Sequence, residues 1–166
     1  AEAASCQDLC GADNPCLISN TRTIEASSTV DCSGRDLTLG LNGILRVVDG
    51  FFTLKAHNLT IDGNYTKAGK VRVVDGAGSS SGGFDIELTG KLVSYGSMQA
   101  NSEDGGGFIT VEAEGDIEFG HSMAVGLKAI GLASDADGGQ IELYSGGDIT
   151  IEREIYADGE SWGSTN

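Results

Sequence analysis

The stretch GGDITIE, residues 146–152, decides the fold. A glycine turn and an acid lead into Ile149, Thr150 and Ile151, which places two apolar side chains on one side of a short extended segment and a threonine on the other. The phrase recurs upstream as EGDIEFG at 114–120, HNLTIDG at 57–63 and GRDLTLG at 34–40, and in a shorter form as KLVS at 91–94. Aligning the first apolar residue of each gives Leu37, Leu59, Leu92, Ile117 and Ile149, at steps of 22, 33, 25 and 32 residues.

Irregular steps would argue against a repeat if two other series did not move with the first. A GG boundary precedes FDIEL at 84, FITVE at 108 and QIELY at 140, and aligns Ile86, Ile109 and Ile141. A third series runs through Val71, Met98, Met123 and Ile155. Extra residues are expected between Gly126 and Asp137, and without them the unit is roughly 20 residues with three short strands, the signature of a solenoid. Within FITVEA, Ile109, Val111 and Ala113 face inward and Thr110 and Glu112 outward. Strands this short are unstable as hairpins. Stacked coil upon coil, each apolar position lands on its equivalent ~4.8 Å away.

Composition agrees. With 26 Gly and one Pro, the chain has residues for sharp corners and keeps nearly every strand amide available for pairing. Aromatic residues make up 6%, so Ile, Leu and Val are left to fill a narrow tube. No apolar run is long enough to span a membrane as a helix. Ten Lys and Arg against 25 Asp and Glu give a net charge of −15, which repels nucleic acid and anionic lipid alike.

All four cysteines, Cys6, Cys10, Cys16 and Cys32, lie in the first 32 residues. An even count beside AEAASC, the small-residue composition expected after signal cleavage, reads as two disulfides in an oxidising compartment, with three pairings open. The expected organisation is a cysteine-rich cap over residues 1–33 and parallel β-helix coils over 34–166, about five of them, with loop insertions near 64–70, 76–82 and 126–137.

The residue before each strand of the first series is Asp36, Asn58, Lys91, Asp116 or Asp148. Asp and Asn cap turn amides, so Asp36, Asn58, Asp116 and Asp148 are expected to form a corner ladder rather than a catalytic row. SDADGG at 134–139 and NSEDGG at 101–106 make Asp135, Asp137, Glu103 and Asp104 weak calcium candidates, since neither completes a calcium loop. No other cofactor is expected.

The alternating GG-x-I-x-[LV] and GDI-[TE]-[IF] units over residues 34–159 resemble the right-handed parallel β-helices of secreted bacterial proteins, in particular the filamentous-haemagglutinin-like adhesins and related surface proteins. The resemblance implies an all-β right-handed solenoid, secretion to the cell surface, and a non-catalytic role in adhesion, scaffolding or filament assembly. The same fold carries polysaccharide lyases and glycosidases, which gives the alternative of a polysaccharide-binding or polysaccharide-cleaving protein. A glycosidase needs paired carboxylates ~5 to 9.5 Å apart. The outward positions of the GG-bounded strands offer Thr53, Glu87, Thr110 and Glu142, with nothing basic beside them, while Arg46 and Arg72, in LRVVDG and VRVVDG, recur one rung apart on another sheet and could clamp an anionic sugar. Surface glycans are therefore candidate partners. The last coil is expected to be open, presenting Ile141, Leu143, Ile149, Ile151 and Ile155, with Trp162 the one large side chain in the polar tail. Such an end invites head-to-tail association or continuation into further coils.

Overall fold

The computed structural model describes residues 2–63, 69–74, 82–102, 105–121, 126–131 and 137–159. The chain winds as a parallel β-helix in which each coil contributes one strand to each of three sheets. The first sheet stacks β1 (Cys16–Ile18), β4 (Leu37–Leu39), β7 (Leu59–Ile61), β10 (Leu92–Ser94), β13 (Ile117–Phe119) and β16 (Ile149–Ile151). The second stacks β2 (Thr21–Thr23), β5 (Ile44–Val48), β8 (Lys70–Val74), β11 (Ser97–Gln99), β14 (Leu127–Lys128) and β17 (Ile155–Tyr156). The third stacks β3 (Ser28–Cys32), β6 (Phe51–Ala56), β9 (Gly83–Leu88), β12 (Phe108–Ala113) and β15 (Gln140–Ser145). Neighbouring strands in every sheet pair parallel and in register.

The first series stacks as expected: Leu37, Leu59, Leu92, Ile117 and Ile149 are successive partners. The first four of them are at most 1% exposed. Burying an aliphatic side chain of this size contributes about 1.5–3 kcal/mol, so each row stabilises the tube along its length.

Three expectations change. Ile109 pairs with Phe84, not Ile86, and Ile86 pairs with Val111. The shift of two residues keeps the facing, and its cause is aromatic: Phe84 occupies the tube and stacks on Phe52 with ring centroids 5.6 Å apart. On the second sheet Leu127 takes the rung assigned to Met123, pairing with Met98 and Ile155, and Met123 lies outside the described residues. The segment after Gly126 is therefore not all insertion, because Leu127 and Ala129, both fully buried, repeat the inward pair Met98 and Ala100. Finally, the coils begin at Cys16 rather than near residue 34, since β1, β2 and β3 form a complete first coil.

The GG boundaries mark the corner between the second and third sheets. A Cβ on Gly107 would overlap the carbonyl oxygens of Gly82 and Ala100, and one on Gly139 would overlap those of Gly107 and Ala129, a coil later. Successive coils approach too closely there for any side chain.

Candidate functional site

At the head of the tube, α1 (Cys6–Cys10) closes the first coil. Ser5 caps the helix by accepting from the Asp8 amide, and the Asp8 carboxylate, held below the usual range chiefly by the Ser5 hydroxyl and the Ala4 amide, completes the turn. Disulfides join Cys6 to Cys32 and Cys10 to Cys16. Arg22, at the rung position of inward Leu45, turns its guanidinium to the Asp8 carbonyl, and Arg35 donates to the Gly11 carbonyl at 2.8 Å. Cys6, Cys10 and Cys32 bring their sulfurs within 4.8 Å of one another, but as disulfide sulfurs they are not thiolate ligands.

The corner ladder follows a rule that the sequence did not reveal. Asn58 Oδ1 accepts from the Lys91 amide at 2.8 Å, and Asp116 Oδ1 accepts from the Asp148 amide at 2.9 Å. Each side chain caps the backbone of the equivalent residue one coil later. Asn58 Nδ2 also donates to Asp36 Oδ1 at 3.0 Å. Lys91 fits the row because the ladder takes its amide, not its side chain. The ladder gives the side chains of Asp36, Asn58 and Asp116 a structural use, whereas Asp148, in GGDITIE, joins it through its amide.

The outer faces of the other two sheets carry opposite charge. The described strands of the third sheet hold Asp31, Asp85, Glu87, Glu112 and Glu142 against one cation, Lys55. Lys55 bridges Glu87 at 2.8 Å. The third sheet aligns Asp85 with Thr110 and Glu142, and Lys55 with Glu87, Glu112 and Tyr144, so Glu87 and Glu142 lie in neighbouring rows, two rungs apart. Burial, and then the neighbouring Glu87 and Glu112, push the Asp85 carboxyl above its ordinary range. Glu142 accepts from the Tyr144 hydroxyl at 2.5 Å and from the Gln140 amide. The second sheet's strands hold Arg22, Arg46, Lys70, Arg72 and Lys128 and no carboxylate. One row of register partners passes through Thr23, Arg46, the Arg72 position, Gln99, Lys128 and Tyr156. Arg46 Nε donates to the Thr23 hydroxyl at 3.0 Å. The Arg46 and Arg72 positions are thus rung neighbours, as the sequence suggested. The remainder of the row was hidden because Lys128 joins it only through the Leu127 register.

His57 Nδ1 lies 3.0 Å from the Thr89 hydroxyl, and His121 is exposed. Of the calcium candidates, Glu103, Asp104 and Asp135 lie outside the described residues. Asp137 is exposed and bridges Gly105 through its backbone, its carbonyl accepting from the Gly106 amide.

At the tail, among the described residues, β15, β16 and β17 each pair on one edge only. Ile149 is 46% exposed and Ile155 43%, whereas their partners one coil earlier, Ile117 and Leu127, are fully buried. Ile141, Leu143 and Ile151 are partly buried. Trp162 lies outside the described residues. Arg153 ties this coil back to the fourth: its guanidinium donates to the Ser94 and Gly96 carbonyls and lies 5.7 Å from the centre of the Phe119 ring. No family model, curated protein or solved structure matches the chain.

Proposed function

We propose that this chain is a non-catalytic structural and adhesive β-helix of an extracellular setting, and that it associates end-on through its last coil. The observation that carries the reading is the exposure of Ile149 and Ile155 in rows whose apolar members one coil and more earlier are buried. Among the described residues, three one-sided strand edges around a partly exposed aliphatic end are a template for further strands. Those strands belong to another copy or to further coils. Because α1 covers the first coil, edge-to-edge pairing between copies runs tail to tail, and a head-to-tail contact would be made on α1 instead. Two disulfides suit an oxidising compartment. Catalysis is less favoured, because Glu87 is bound by Lys55 and Glu142 by Gln140 and Tyr144, with no histidine in that network.

The test is light scattering over a concentration series. Ile149→Lys and Ile155→Lys alter side chains already nearly half exposed, so the monomer is expected to fold. The unmodified chain should gain mass with concentration and the double variant should stay monomeric. A chain that remains monomeric without the substitutions would remove end-on self-association.

A further inference from the structure

We propose that the basic outer face of the second sheet docks on the acidic outer face of the third sheet of a neighbouring copy, the two chains lying side by side, parallel and offset by one rung. The inference extends the structural role proposed above but uses different faces from the end-on contact.

Each face lacks what the other supplies. Five of the chain's ten cationic residues lie on strands of the second sheet, and Arg22 is turned to the cap. The third sheet's strands carry five acids and one cation. Both rows run along the solenoid axis, and the backbone fixes their spacing at the same ~4.8 Å, so aligning one pair of charges aligns the rest. Without an offset Arg46 would face Lys55. Displaced by one rung, Arg46 meets Asp85 and Glu87, the Arg72 position meets Glu112, and Gln99 meets Glu142. The surrounding side chains also match. Val48, 39% exposed, and half-buried Ile44 and Ile130 flank the cations, while the acids are flanked by the Phe51–Phe108 pair, 5.3 Å between centroids, and by Tyr144, 54% exposed.

A net charge of −15 on each copy opposes approach at long range. At about 0.15 M salt that repulsion is screened beyond ~8 Å, while charges in contact still attract. Association is therefore strongest at intermediate ionic strength and is lost at about 1 M salt. A face of a few short rungs falls below the ~800 Å² per partner of a stable interface, so a single contact is weak. The contact joins two different faces and shifts each copy by one rung along the axis, so it repeats without closing into an open, staggered array.

Sedimentation velocity tests this in the Ile149→Lys/Ile155→Lys background, where the end-on contact is blocked and its success or failure cannot affect the result. Arg46→Glu/Arg72→Glu and, separately, Glu87→Lys/Glu112→Lys should each weaken self-association by at least about tenfold, and mixing the two should restore it, because the unchanged basic face of one variant meets the unchanged acidic face of the other and the two reversed faces also match. Circular dichroism checks that each pair folds, and Arg46→Gln/Arg72→Gln replaces the first pair if it does not. The proposal is overturned if the end-blocked chain does not self-associate at about 0.15 M salt, if it associates regardless of both variants, or if mixing fails to restore association. It is also overturned if the arginine variants abolish retention on immobilised polygalacturonate while self-association is absent, since the row would then serve an anionic polymer.

Discussion

At Asp85 an ionisable side chain sits where the fold least favours its charge. Burial, then Glu87 and Glu112, raise its pKa above the ordinary aspartate range, and Lys55 pulls it partly back. The folded chain therefore holds that proton more tightly than the unfolded chain does. Stability from this group is greatest below the unfolded pKa and is lost as pH rises through the folded one. Asp85→Asn removes the ionisation at nearly constant volume. Because Asp85 is only half-buried and solvent still screens it, the gain at neutral pH should be under ~1 kcal/mol, which raises the melting temperature by up to about 3 °C. Calorimetry at pH 7 and at about pH 3 should show that gain at the higher pH and almost none at the lower. A variant melting below the parent at pH 7 would mean that attraction to Lys55 outweighs the repulsion and desolvation.

Among the elements, α1 and its two disulfides are what separate the closed end from the open one. The Cys6–Cys32 bridge spans 26 residues and ties α1 to β3, and Cys10–Cys16 ties it to β1. Cys6→Ser/Cys32→Ser should cost about 2–4 kcal/mol, and in urea the cap and first coil should open before the later coils. A single transition unchanged in midpoint would show that α1 adds nothing to the tube's stability. The same elements show how far the sequence could be read. The first sheet was legible because its strands are uniformly short and, Lys91 apart, the aligned ones follow an Asp or Asn, so Leu37 through Ile149 aligned without reference to coil length. The other two sheets were not. Phe84 enters the tube where the eye selects aliphatics, and Leu127 repeats Met98 only when GLKA is set against SMQA across a gap of different length. Strand β1 escaped notice because Cys16 stands where the later coils have Leu or Ile, and a cysteine reads first as a bridge. The corner ladder was legible as a row of caps, but its action across rungs, Asn58 to Lys91 and Asp116 to Asp148, follows from the three-dimensional stack alone.

For the whole molecule, the account rests on polarity: one end covered, one end whose described strands are unpaired on their outer edge, and two faces of opposite charge between them. The most direct measurement is amide hydrogen exchange resolved by strand, at two protein concentrations. In dilute solution the amides of β7, β10 and β13, paired on both edges and lined by fully buried side chains, should exchange slowest, while β16 and β17 open readily. At high concentration β15, β16 and β17 should gain protection selectively, and Ile149→Lys/Ile155→Lys should remove that gain. Protection of β16 equal to that of β13 in the dilute monomer would contradict the account, because the last coil would then already be covered and could not serve as the site of assembly.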